Sequence, residues 1–454
     1  MIKERESILL SERQAVCQGL FWLLGICILV RVFLWIVYAP VIWPDTGTYL
    51  QLAGELVRLD FSEYDGTRTP VYPLLLLLAG KNPFGVWFLQ SVLGVSASLL
   101  LFVLVFEQTR KVSLAFSAGT IHSLALNELL FEANLLTESV SSFLLIFSVF
   151  IFSKLLVSER KFWPAVGLGG ASSLLALTHP LFAFVGPLYI LLAILFFRGR
   201  NRICIPLIVL LCFALPVSGW IGFNKITLDY AGITTFMGYN LSNHSGGFIE
   251  RAPPSKLRDI YLRYREKKVK QSGNHSMTIF EAKGEIMAAT GLSHVDLSRK
   301  LARLSLQLFV EHPALYLQSV FKSWVSFWVA PNYWKPTKII SPTVAASLER
   351  LWWVEQGLIR VMNLLFIFFA AGLIVKVALF QGYAEPALRV PLVITVLIIV
   401  TSLVQALFEY GNTRYSIPTQ SLMITFILLF GRQIKVHRWL GIVYVRLKSN
   451  WFQA

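Results

Sequence analysis

Residues 40–73 read PVIWPDTGTYLQLAGELVRLDFSEYDGTRTPVYP. They form a polar island between a long apolar run, Val16–Tyr38, and the mostly apolar chain that follows. Inside the island lie Asp45, Glu55, Asp60, Glu63 and Asp65, with Arg58 and Arg68. Charges at the mouth of an apolar bundle are costly to hold beside lipid, so such a cluster is a site candidate, with a solvated loop as the plain alternative. Thr46–Phe61 puts Tyr49, Leu52, Ala53, Leu56, Val57 and Leu59 on an apolar side and Glu55 and Arg58 opposite. That pattern predicts an amphipathic helix lying on a membrane surface. Pro70–Ala79 is apolar but too short to span, and reads as a dipping or interfacial segment.

Outward from the island, the composition settles the class. The chain has 454 residues, of which 56% are hydrophobic and only 15% charged. Soluble domains carry about 25% charged residues, so this is an all-α polytopic membrane protein. The net charge of +16 invites a nucleic-acid reading. The basic residues instead fall in short clusters between apolar runs, as the positive-inside rule requires, and no nucleic-acid partner is expected. The four cysteines lie in apolar runs, which excludes a disulfide framework and a CxxC metal site.

About 20 apolar residues cross a bilayer. By that measure the spans are Val16–Tyr38, Val86–Phe106, Val112–Leu126, Ser139–Val157, Trp163–Leu177, Leu181–Phe197, Ile203–Phe223, Trp352–Leu379, Pro391–Phe408 and Ile417–Phe430. Basic clusters at Lys3–Arg13, Arg110–Lys111, Arg160–Lys161 and Arg198–Arg202 then place both termini in the cytoplasm and the island outside. The organisation expected is a transmembrane module over residues 1–223, with the first outer loop at 39–73. An extracytoplasmic helical insert follows at 224–313, then an interfacial helix and loop at 314–351, and last the C-terminal spans and basic tail at 352–454. The insert should hold helices at Met277–Ala289 and Val295–Glu311, the second from its leucine spacing, and a solvated basic face at Lys256–Lys270. Glu128 and Glu132, one turn apart in the outer connection Asn127–Ser139, read as solvated.

The chain contains no P-loop, no GxGxxG after a strand, no HExxH and no GxSxG. Its chemistry must come from dispersed polar residues at one membrane face. On the topology above, Asp45, Arg68, Glu138, His179 and Arg414 all fall at outer span ends. Each has a structural alternative: Asp45 and Glu138 as helix-start residues, His179 in a turn, Arg414 as an interfacial anchor, and Arg68 paired with Asp65 or Glu63.

Five short motifs carry a resemblance: WPDTGTYLQLA (43–53), RTPVYPLLL (68–76), LLTES (135–139), LTHP (177–180) and RYSIP (414–418). In this order the chain resembles the GT-C superfamily of membrane glycosyltransferases, in the branch of protein O-mannosyltransferases and the lipid A aminoarabinose transferase. HPALY (312–316), leading into an aromatic helix, fits the same pattern. The resemblance implies a GT-C-like bundle that moves a sugar from a polyprenyl-phosphate donor to a saccharide, lipid or protein acceptor on the outer face, in cell-envelope glycan biosynthesis. It implies Asp45 as general base or acceptor-orienting group, with Glu138 as a second acidic position. It implies an inverting transfer in which Arg68 and Arg414 stabilise the leaving phosphate, and in which Tyr72, His179 and Tyr415 line the substrate. A divalent metal ion held by Asp45 and Glu138 stays open. Asp45 is followed by Thr46, where many members have a second carboxylate. Two other classes also stay open: a flippase of a lipid-linked saccharide, and a non-catalytic scaffold of envelope assembly.

Overall fold

The computed structural model describes residues 2–329, 333–380 and 385–431. Among them every regular element is helical, and one isolated parallel bridge joins Val41 to Asn134. The chain opens with α1 (Ile2–Val37), the island helix α2 (Pro44–Arg58) and a short α3 (Val71–Leu78). There follow α4 (Pro83–Thr109), α5 (Val112–Leu124), α6 (Leu126–Glu132), α7 (Glu138–Val157), α8 (Phe162–Thr178), α9 (Val185–Phe196) and α10 (Asn201–Leu228). The insert supplies α11 (Phe236–Ser245), α12 (Lys256–Ser272), α13 (Thr278–Thr290) and α14 (His294–Glu311). The chain continues through α15 (Pro313–Phe327), α16 (Pro342–Phe380), α17 (Pro386–Phe408) and α18 (Ile417–Gly431).

Among the described residues, six helices are long and apolar enough to cross a membrane: α1 from Leu10, α4, α7, α10, α16 and α17. Three of the other expected spans coincide with helices that are shorter or broken. α5 and α6 bend by 53° at Ala125, and α8 and the Pro180–Phe196 segment are short. The basic tail Arg432–Lys448 lies outside the described residues.

One core runs through the bundle, joining residues such as Leu101, Leu145, Leu168, Val209, Leu397 and Phe426. Many large apolar side chains outside it are exposed, among them Phe21, Trp163, Leu215 and Phe368, as lipid-facing helices require. A second core lies within the insert, where Leu297, Leu301 and Leu308 of α14 meet Tyr239, Tyr261, Ile279 and Ile286. The leucine spacing thus marks a buried stripe. α12 keeps Leu257 and Tyr261 inward and its basic residues largely outward.

Two expectations are overturned by burial. Glu128 and Glu132 are 4% and 3% exposed, not solvated. The bend after α5 turns α6 inward, and Glu132 takes two bonds from Arg31 of α1, at 3.0 Å to Oε2 and 2.5 Å to Oε1. Glu128 accepts from Ser142 of α7 and Ser421 of α18. Glu55, expected on the polar side of α2, is 1% exposed. The loop after α2 folds back over that face and covers it, with Tyr64 and Thr67 buried beside it.

Candidate functional site

The site is assembled by backbone pairing at the start of α2. Val41 N donates to Ala133 O at 2.8 Å, and Leu135 N donates to Val41 O at 3.0 Å. Thr46 Oγ1 accepts from Trp43 N and donates to Leu135 O, both at 3.0 Å. The residue after Asp45 is therefore a clamp, not a second carboxylate. Gln90 of α4 holds the same strip from below, donating to Glu132 O at 2.7 Å and Asn134 O at 2.9 Å. The strip runs directly into Glu138 at the head of α7, so the first outer loop and α7 open onto one place.

Asp45 is the second residue of α2, and the cap position belongs to Trp43. Its carboxylate is gripped from two sides: Arg68 Nη2 is 2.8 Å from Oδ1, and Arg414 Nη1 is 2.9 Å from Oδ2. Burial alone would raise Asp45, but the neighbouring Arg414 and Arg68 guanidiniums override it and bring the carboxyl down to about 2. Its side chain is still 31% exposed, against 10% for Arg68, 15% for Arg414 and 2% for Glu138. The opening of the cluster is thus at Asp45.

Arg68 is fixed by what surrounds it. Nε donates to Thr48 Oγ1 at 2.7 Å and Nη1 donates to Tyr49 OH at 3.1 Å. The guanidinium lies over the rings of Tyr49 at 4.2 Å and of Phe236, from the insert, at 4.9 Å. It does not pair with Asp65, which accepts from Thr67 instead. The loop reaches this geometry through Gly66, at φ +76°, where a Cβ would meet Leu228 and Thr235 at 2.7 Å. Gly66 O accepts from Thr235 N at 2.9 Å, tying the loop to the insert.

Arg414 sits in a 3-10 turn, Thr413–Ser416, where its own N–H donates to Asn412 Oδ1 at 3.3 Å. Its Nε stands 3.2 Å from Glu138 Oε1 as an ion pair without hydrogen-bond alignment, and both Glu138 oxygens lack a hydrogen-bond partner. The Arg414 guanidinium lies 5.3 Å from the Tyr415 ring and 5.9 Å from the Tyr333 ring. His179 packs edge-on against Tyr415 at 4.9 Å. Its Nδ1 accepts from Leu181 N at 3.3 Å, which leaves the proton on Nε2. Burial, and after it the Arg414 and Arg68 charges, pull the imidazole down to about 3, so it is a neutral donor.

Asp45, Arg68, Glu138 and Arg414 therefore form one connected group, with His179 and Tyr415 on its flank. Tyr72 does not join them. It is fully buried one layer beneath, packed against Tyr49 at 4.9 Å and donating to Gln90 at 3.1 Å. Sequence reasoning missed Thr48, Tyr333, Phe236 and Glu409. Thr48 and Tyr49 follow Asp45 by three and four residues, which puts all three on one helix face, a signal that was available. Burial pushes Glu409 to about 7, against the pull of Arg414 and with Asp45 adding to the rise. Nothing local in the sequence marks Tyr333 or Phe236.

A divalent metal ion does not fit between Asp45 and Glu138. Both Asp45 oxygens are taken by guanidiniums, Glu138 faces Arg414, and no group of three or more His, Cys, Asp or Glu side chains suited to a metal occurs among the described residues.

No family model matches the chain, and no curated protein matches it. Among solved structures it is similar to the archaeal oligosaccharyltransferase AglB from Archaeoglobus fulgidus, solved in complex with an inhibitory peptide and a dolichol-phosphate. The identity is 12% and the TM-score 0.49, over 96% of this chain and 51% of that one, so the chain spans about half the length of that neighbour. The geometry of the site therefore carries the functional reading alone.

Proposed function

We propose that the protein is an integral membrane glycosyltransferase that takes a sugar from a polyprenyl-phosphate donor at the extracytoplasmic face. The single observation that carries this is one carboxylate held between two guanidiniums, with its own edge open. Guanidiniums fork onto phosphate oxygens, and here two of them converge from distant parts of the chain. In the free protein Asp45 occupies the place that a phosphate would take. A donor phosphate competes with Asp45 for Arg68 and Arg414, and as it draws them off Asp45 becomes more basic. Asp45 then accepts the proton of an acceptor hydroxyl. The acceptor oxygen bonds to the anomeric carbon, the bond from that carbon to the phosphate oxygen breaks, and polyprenyl phosphate leaves on the two guanidiniums. Glu138 holds Arg414 from behind, and the His179 Nε2–H is a donor for sugar hydroxyls or phosphate. The insert, whose Phe236 touches Arg68, is the surface that sets the acceptor.

The flippase reading gains one observation, the buried charges Arg31, Glu128 and Glu132. These are closed on one another and on Ser123, Ser142 and Ser421, as a structural network would be. Asp45→Asn distinguishes the two readings. With purified protein in liposomes and a labelled polyprenyl-phosphate sugar, release of polyprenyl phosphate should fall on the order of 10²–10⁴-fold while the protein stays folded. Unchanged release by the variant overturns the assignment.

A further inference from the structure

The end of the bundle away from the Asp45 cluster gathers a second set of arginines. α8 joins the two ends: its 17 residues rise about 25 Å, from Phe162 at the far end to Thr178 beside His179. α8 and α9 both pack on α10, so the turn before α8 and the turn between α9 and α10 meet at one corner. Lys161 fastens them. Its Nζ lies 5.3 Å from the centre of the Phe197 ring and donates to Leu155 O at 2.8 Å.

At that corner Arg160, Arg198, Arg200 and Arg202 are all exposed. Among the described residues none of the four side chains has an ion-pair or hydrogen-bond partner. The two turns hold one carboxyl, Glu159, and Glu107 at the end of α4 is taken by Lys154. Exposed cations elsewhere do find carboxylates: on α12, Arg263 pairs with Glu285 and Lys268 with Glu281. Four free guanidiniums on one corner suit an anion from outside the chain, since each can fork onto phosphate oxygens. The side chains beside them decide which kind. Trp163 is 73% exposed, and Phe162, Leu195 and Ile203 are exposed as well. Each lies within three positions of one of the arginines. A soluble anion gains nothing from that apolar flank. A phospholipid offers phosphate to the arginines and acyl chain to the flank, and tryptophan is enriched at the depth between the two.

We propose that this corner binds an anionic phospholipid, its headgroup held by Arg160, Arg198, Arg200 and Arg202 and the start of its chains by Phe162 and Trp163. The site is separate from the Asp45 cluster and stands whether or not the protein transfers a sugar.

Native mass spectrometry of the purified full chain in a neutral detergent tests this by binding alone. Dioleoyl phosphatidylglycerol should bind about tenfold more tightly than dioleoyl phosphatidylcholine, which has the same chains and a phosphate but no net charge. Glycerophosphoglycerol, the same headgroup without chains, should not displace the bound lipid. Changing Arg198→Gln, Arg200→Gln and Arg202→Gln together should bring the two lipids to within about twofold of each other. The unfolding temperature should stay as it is, because all three side chains are exposed. Changing Lys256→Gln, Lys267→Gln and Lys270→Gln together removes as much charge from exposed positions on α12 and should leave the preference intact. Equal binding of the two lipids by the unmodified protein would overturn the proposal, and so would displacement by the chainless headgroup. A preference that survives the arginine changes, or one lost equally in the α12 variant, would overturn it too.

Discussion

Arg414 is the side chain that ties the candidate site together. Its Nη1 holds Asp45 and its Nε faces Glu138, so it joins two carboxylates that lie far apart in the sequence. A lysine has the charge but not the fork, and it cannot serve both partners in one plane. Arg414→Lys should therefore lower donor turnover on the order of 10²-fold, the usual loss when one donor to a developing oxyanion goes. Steady-state release of polyprenyl phosphate measures it, and near-normal turnover in the lysine variant would show that charge alone suffices. Glu409 gives a pH signature. Its ordinary value is 4.5 and its folded value is about 7. Because the folded value is the higher, the stability linked to it is full below about 4.5 and is lost as pH rises through about 7. Thermal unfolding of the wild type should thus drop in temperature between those values, and Glu409→Gln should flatten the drop. Equal slopes in the two proteins would remove Glu409 from the account. The charged residues of the cluster were legible in the sequence, because ionisable groups at span ends are rare and few roles explain them. Tyr333 and Phe236 were not, because an aromatic beside a guanidinium looks in sequence like any other apolar residue.

Among the elements, α6 is where the sequence misled. Two glutamates one turn apart in a short polar connection read as solvated, and no local rule says otherwise. The partner that buries Glu132 is Arg31, 101 positions away. Space for the pair comes from Gly94 of α4, where an added Cβ would stand 1.9 Å from Glu132 Oε1. The pair also holds up the site, since the strip that follows Glu132 clamps the start of α2. Removing one member leaves an uncompensated buried charge, at a cost of about 3–5 kcal/mol. Glu132→Gln and Arg31→Met should each lower the unfolding temperature strongly. The double change Arg31→Met with Glu132→Leu should recover most of the loss, because two apolar side chains of similar bulk leave no buried charge unpaired. Additive losses in the double variant would show that the two act through separate contacts. α2 forms where its local apolar spacing predicts a helix. The burial of Glu55 is not legible in that spacing, because the loop that covers it is a tertiary event.

For the whole molecule, the basic clusters and the site lie at opposite ends of the same helices. α7 begins at Glu138 and ends before Arg160 and Lys161; its 20 residues rise about 30 Å, the thickness of a hydrocarbon core. By the positive-inside rule the turns after α4, α7 and α9 belong in the cytoplasm, and the Asp45 cluster and the insert belong outside. That sidedness is an expectation from charge bias alone, which needs no tertiary information. Single cysteines can test it in a background where Cys17, Cys27, Cys204 and Cys212 are serine. Ser62→Cys and Asn274→Cys, both at exposed positions, should react with a membrane-impermeant maleimide in intact cells. Glu159→Cys, exposed in the turn between α7 and α8, should react only after the membrane is opened. The reverse pattern would put Asp45, Arg68 and Arg414 in the cytoplasm, where nucleotide-activated sugars are the ready donors. An outward-presented polyprenyl phosphate could not then reach the two guanidiniums, and the donor proposed for this site would have to be given up even though its geometry stood unchanged.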